Sequence, residues 1–270
     1  MLSGLPTHSA TPSVHLTYPH PSLFTFPPAS VPNVLPPPTS DHTLAHPFAI
    51  NPETYNNLLS VNYPITIALL YATTVTLVNR INKQRGNKPW AFSQSYAFYA
   101  FVLLHNVFLA VFSAWTFLGM FNALRHAWPG LHGKDGLAGA ADALCKIHGP
   151  RGLGNAVTYN STNGIWGVTN KAVQLATGGS PDSTDVGRLW NEGLAYYGWL
   201  FYLSKFYEIM DTAIVLAKGK KSSVLQTYHH AGAMLCMWAG IRYMAPQIWV
   251  FTLVNSAVHS LMVPSLPPSC

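Results

Sequence analysis

The sequence predicts an all-α fold, a polytopic membrane helix bundle of about five spans, because apolar runs of bilayer-crossing length recur along the chain. Two further observations point the same way. Charged residues make up 9% of the 270 residues while 49% are hydrophobic and 13% aromatic. A soluble globule of this size would carry roughly a quarter charged residues. Lys205, Glu208 and Asp211 also sit inside apolar sequence, where each ionised group costs roughly 2.5–3.5 kcal/mol on insertion scales unless it finds a partner or a wet cavity.

Residues 1–50 form the first segment. Pro27-Pro28 and Pro36-Pro37-Pro38, spaced by Ser, Thr and His, predict a disordered arm, since such a composition cannot bury enough apolar surface to order itself. It lacks the basic n-region, apolar h-region and cleavage site of a secretory signal, so the first span is expected to act as a signal anchor. Residues 51–270 are expected to form one membrane domain.

The first span is predicted over Val61–Val78, closed by Arg80, Lys83, Arg85 and Lys88. The second is Phe92–Phe121, whose His105-Asn106 reads equally as an interhelical hydrogen-bond contact and as part of a site. Residues 122–189 change character. Gly, Asn, Ser and Thr punctuate them, and Pro129, Pro150 and Pro181 break any long helix, which predicts a large extramembrane loop. The third span, Leu189–Ala217, holds Lys205 to Asp211 and is closed by Lys218, Lys220 and Lys221. Val224–Ile241 and Ile248–Val263 follow as the fourth and fifth, separated by Arg242 and Pro246.

Charge and cysteine content narrow the function. The net charge of +6 comes from short basic clusters beside apolar segments, not from a basic face interleaved with aromatics, so nucleic acid is not an expected partner. Cys145, Cys236 and Cys270 are odd in number and lack C-x-x-C spacing, which implies neither a disulfide framework nor a zinc site. If spans one to three alternate, both basic loops fall on one side, which the positive-inside rule makes cytosolic. The arm and the middle loop then lie outside, and the loop carries one glycosylation sequon, Asn160-Ser161-Thr162.

Lys205, Glu208 and Asp211 recur every three residues and so share one side of a helix, with Lys205 and Glu208 within ion-pair reach. Alone, such a pair is as consistent with structure as with function. The next span, however, opens Gln226-Thr227-Tyr228-His229-His230, and the one after carries Asn255 and His259 on one face. Three imidazoles near two carboxylates suit acyl transfer, because neutral imidazole can take a proton or attack an acyl carbon and a carboxylate can orient it. Metal chemistry is the competing use. Membrane desaturases and hydroxylases gather many imidazoles, whereas here only His229, His230, His259 and His105 lie in or beside apolar spans, too few for two irons.

Lys205-x-x-Glu208-x-x-Asp211-Thr212, then Gln226-x-x-His229-His230, then Asn255-x-x-x-His259-x-x-Met262 resembles the ELO family of very-long-chain fatty acid elongases in order and spacing. Lys88-Pro89 and His105-Asn106 extend the resemblance to Val61–Met262, and Gln226 at the head of the histidine box is similar to fungal-type members. The resemblance implies a multi-pass endoplasmic reticulum enzyme that condenses long-chain acyl-CoA with malonyl-CoA to 3-oxoacyl-CoA, CoA and carbon dioxide. It implies no metal and no cofactor beyond the two substrates. The lipid bilayer, other enzymes of the elongation cycle and further copies of the chain are the implied partners. His229, His230 and His259 would then handle the acyl group or the proton, with Asp211 and Glu208 orienting the imidazoles and Lys205 balancing charge. Gln226 and Asn255 would line the substrate site. Lys218, Lys220 and Lys221 would meet CoA phosphates or serve only as topology determinants. Family members continue past the methionine with Tyr-x-Tyr-Tyr and two further spans, whereas Val263-Pro264 follow Met262 here. The resemblance therefore implies a bundle shortened from seven spans, and an inactive membrane subunit is the alternative to an active enzyme.

Overall fold

Eight α-helices and one hairpin are laid out along the chain in a computed structural model, which describes residues 18, 30–40 and 42–261. A short α1 (Pro52–Asn57) leads into α2 (Asn62–Gln84) and α3 (Tyr96–Ala127). Between α3 and the later helices stand α4 (Gly136–Cys145) and the antiparallel pair β1 (Val157–Asn160) and β2 (Ile165–Val168), registered Val157 to Val168. A π-helical stretch, Trp190–Gly198, runs into α5 (Trp199–Tyr207) and α6 (Ile209–Ala217), and α7 (Val224–Arg242) and α8 (Ile248–Leu261) follow among the described residues.

Of these, α2 and α3 are long and apolar enough to cross a bilayer, at 23 and 32 residues. Their outer faces leave Leu69, Leu70, Leu104, Val111 and Leu118 exposed, the pattern expected of helices whose solvent is hydrocarbon. The inner face of α3 meets a core centred on Trp190, Leu194, Phe201, Tyr202, Met237 and Ile241, whereas α2 packs Ala68, Tyr71 and Val75 against Leu216 of α6 and Met234 of α7.

The end of α2 shows why the two basic loops share one side. Gly86 and Asn87 take positive φ values of 69° and 57°, and Asn87 N–H donates back to Asn82 at 2.7 Å, closing the helix in a Schellman-type cap. The chain then turns so that Trp90 N–H bonds the Ala217 carbonyl at the end of α6. Asn82 Nδ2 donates to Leu216 O at 2.8 Å, and Asn79 exchanges hydrogen bonds with the backbone of Ser222 at 3.1 and 3.0 Å. Gly219, at φ 72°, lies so close to Asn87 and Lys88 that a Cβ would fall 2.6 Å from Asn87 O. The basic loops Arg80 to Lys88 and Lys218 to Lys221, expected on one side, therefore lie against each other.

The other end is more structured than the sequence suggests. Residues 122–127 continue α3, and the rest of the loop folds around Arg188, which is only 2% exposed. Its guanidinium bonds Asp142 Oδ2 at 2.7 Å and the carbonyls of Lys146, Pro150 and Gly152. Residues 30–40 and 42–50, predicted as part of a disordered arm, pack against the helices. Trp190 Nε1 donates to Leu35 O and Tyr197 OH to Leu44 O, both at 2.8 Å, and Val34 is buried. The physical reason is that donors on buried aromatics need acceptors, and a proline-rich strand offers free carbonyls.

Three further expectations are corrected. The first span runs on to Gln84, and the second begins at Tyr96 after a 3₁₀ turn, Ala91–Gln94. The third span is no single α-helix: Gly193 at φ 148° produces a kink in the π-helical stretch, and a second break falls at Glu208. Met262 and the residues after it, where the third motif departs from the family pattern, lie outside the described residues.

Two predictions follow from this packing. Gly119 faces the Tyr197 ring with no room for a Cβ, so G119A should cost about 1–3 kcal/mol of stability through overpacking, read as a lowered unfolding temperature in detergent. His148 is buried between the Trp166 and Trp190 rings at centroid distances of 5.1 and 5.3 Å, with Nε2 unpartnered. Burial, reinforced by the Arg188 charge, pushes its pKa from 6.5 down to about 3. Between those values the unfolded chain binds the extra proton, so the stability this residue contributes is whole above pH 6.5 and is lost as pH falls towards 3. Tryptophan fluorescence should follow that loss, and H148F should remove it.

Candidate active site

The π-helical stretch and α5 carry Lys205 into the middle of the bundle, where it is 1% exposed. A lone ammonium there would be untenable, and three neighbours accommodate it. Its Nζ donates to Glu208 Oε1 at 2.6 Å and to Asn255 Oδ1 on α8 at 2.9 Å, and lies 3.7 Å from the centroid of the Phe201 ring. Glu208, 2% exposed, also accepts from Ser204 Oγ at 3.4 Å. The predicted Lys205–Glu208 pair is thus formed, and Asn255 makes it a tie between two helices.

Asp211 does not continue that row. Because α5 ends and α6 begins at Glu208, Asp211 turns towards α3, and its Oδ1 accepts from His105 Nε2 at 2.8 Å. His105 is buried against the Tyr207 ring at 5.0 Å, with Nδ1 unpartnered. Asp211 and Glu208, expected to orient the imidazoles of His229, His230 and His259, make their hydrogen bonds to His105 and Lys205 instead. His230 and His259 both lie within Coulombic range of Glu208, Asp211, Lys205 and His229.

The first turns of α7 set the histidine box. Ser223 caps the helix by accepting from Gln226 N–H. Gln226 donates to Thr212 Oγ1 at 3.3 Å and accepts from Ser222 Oγ at 3.3 Å. Thr212 in turn is bonded to the Tyr71 hydroxyl on α2 at 2.8 Å. His230 is buried with its ring edge-on to Tyr71 at 6.2 Å, whereas His229 is exposed and lies 5.6 Å from His230. His259, on α8, is half-buried.

Lys205, Glu208, Asn255, Asp211, His230 and His259 are therefore brought together, with His229 at the margin. Lys218, Lys220 and Lys221 stand apart, exposed at the basic end of the bundle. Sequence reasoning left His105 undecided and passed over Tyr71 and Tyr207. The available signal for Tyr71 was a phenol in an otherwise apolar span, a group that needs a buried partner. Among the described residues, no three His, Cys, Asp or Glu side chains are gathered as a metal-ligand set.

An apolar helical bundle enclosing a bonded ammonium–carboxylate pair, with imidazoles converging from α3, α7 and α8, defines a membrane protein with an internal polar site. The motifs on those helices match one family: the chain belongs to the ELO (GNS1/SUR4) family, whose pattern it fits over residues 57–263. It is 30% identical over 78 residues to fatty acid elongase 2 of Trypanosoma brucei brucei, covering 29% of each chain. It is 26% identical over 164 residues to fatty acid elongase A of Dictyostelium discoideum, covering 61% of this chain and 43% of that one. It is also 26% identical over 99 residues to human very long chain fatty acid elongase 3, covering 36% of each. The aligned stretches thus span between 29% and 43% of those relatives' own lengths. No solved structure matches.

The buried pair gives a direct prediction. K205M leaves Glu208 as an unpaired buried carboxylate and should cost about 3–5 kcal/mol of stability, whereas K205M/E208Q removes both charges and should recover much of it. Thermal unfolding of the purified variants in detergent measures both.

Proposed function

We propose that this chain acts in fatty acid elongation as the condensing enzyme, joining long-chain acyl-CoA to malonyl-CoA. Malonyl-CoA loses carbon dioxide, its C2 carbon attacks the acyl carbonyl, and the acyl–sulfur bond breaks to release CoA. The product is a 3-oxoacyl-CoA longer by two carbons. The observation that carries this reading is the Lys205–Glu208–Asn255 tie, which links α8, with His259, to the buried ion pair at the junction of α5 and α6.

His229 and His259 are assigned the acyl group or the proton of condensation, with His230 as their buried neighbour. Glu208 and Asp211 stabilise positive charge on these rings by field, while Lys205 offsets the surplus negative charge. Gln226 fixes Thr212 and the start of α7. Lys218, Lys220 and Lys221 stand ready for CoA phosphates at the mouth, as flexible point charges suited to that contact. No metal or added cofactor has a role in this scheme. The expected setting is the endoplasmic reticulum membrane, crossed several times with the basic loops in the cytosol, alongside other enzymes of the elongation cycle.

Microsomes carrying the chain should incorporate labelled malonyl-CoA into 3-oxoacyl-CoA. H229A and H259A should each lower that rate about 10²–10⁴-fold, the usual worth of a positioned acid or base. No incorporation by the unsubstituted chain, or full incorporation by the H229A/H259A variant, counts against the proposal and favours a non-catalytic membrane subunit.

A further inference from the structure

The middle loop contains a modification site that the condensation chemistry does not use. Asn160 ends β1 and opens the hairpin turn, and Asn160, Ser161 and Thr162 are all exposed. Asn160 Oδ1 accepts the Thr162 N–H at 2.9 Å, forming an Asx turn. This leaves the amide Nδ2 without a hydrogen bond among the described residues, pointing away from the bonded side of the turn. The segment is also anchored: Gly164 N–H bonds Asn160 O at 2.9 Å, and Ser30 Oγ donates to Ser161 O at 2.8 Å.

Position in the bundle supplies the second argument. The basic loops are clasped together where α3 begins, at the contact of Trp90 with Ala217. The loop that bears the hairpin follows the far end of α3, which is 32 residues long and therefore spans about 48 Å at 1.5 Å per residue. If the basic loops face the cytosol, the hairpin is on the opposite face of the membrane, the side on which asparagine is glycosylated. No other asparagine in the chain begins an Asn-x-Ser/Thr sequence.

We propose that Asn160 carries an N-linked glycan, transferred from a lipid-linked oligosaccharide diphosphate. In that step Nδ2 loses one proton and bonds C1 of the sugar, while the bond from C1 to the diphosphate oxygen breaks and the lipid diphosphate leaves. The proposal depends on orientation and exposure and is independent of the condensing activity.

The test is expression of the full chain in a eukaryotic microsomal system, with glycosidase treatment before electrophoresis. The unsubstituted chain should shift to higher mobility on treatment; N160Q and T162A should migrate at that faster position untreated, and T162S should keep the shift. K221N, which completes an Asn-Ser-Ser sequence at the basic end, should restore no shift when added to N160Q. An unsubstituted chain insensitive to the glycosidase, a shift that persists in N160Q, or a shift regained in N160Q/K221N would each overturn the proposal.

Discussion

A charged amine with almost no exposure organises this bundle. Lys205 can stay in the apolar interior only while Glu208 and Asn255 remain in place, because desolvating either charge without the other is far costlier than any single packing contact. That requirement reaches two helices beyond its own. Glu208 has to sit at the junction of α5 and α6, and α8 has to present Asn255, and therefore His259 one turn later, towards the same point. A hydrophobic bundle would be free to slide along its helices; one tied at Lys205 has a defined register.

Around that tie the polar groups fall into two connected sets. One joins α3 to α6 through His105 and Asp211, and the other joins α2, α6 and α7 through Tyr71, Thr212 and Gln226. Each set satisfies groups that would otherwise face hydrocarbon, and together they bring the imidazoles of α7 and α8 into the field of both carboxylates. Below them, Asn79 and Asn82 lock the basic loops to each other. At the other end, Arg188 organises the segment between α3 and the π-helical stretch. The site thus lies between two polar clamps, with rigid helices linking them.

Much of this was legible in the sequence. Apolar run lengths and basic punctuation located the helices, and the three-residue spacing of Lys205 and Glu208 announced their pair. What spacing could not show is where a helix breaks. Asp211 belongs to the same periodic row, yet the junction at Glu208 turns it to His105, and the wide turns around Gly193 change the direction from which α5 enters the core. Composition also misled at residues 30–40 and 42–50. Proline density signals that a segment cannot form its own core, but says nothing of whether Trp190 and Tyr197 will recruit its carbonyls. Long-range hydrogen bonds of this kind leave no local periodicity to read.

A double-mutant cycle over Lys205 and Asn255 tests the central tie most directly. Unfolding free energies of K205M, N255L and the double variant, measured in the same detergent, give the coupling between α5 and α8. Contact through this part-buried hydrogen bond predicts a coupling of about 0.5–3 kcal/mol. Additivity within about 0.5 kcal/mol would contradict the claim that this pair holds the two helices, and with them the histidines, in register.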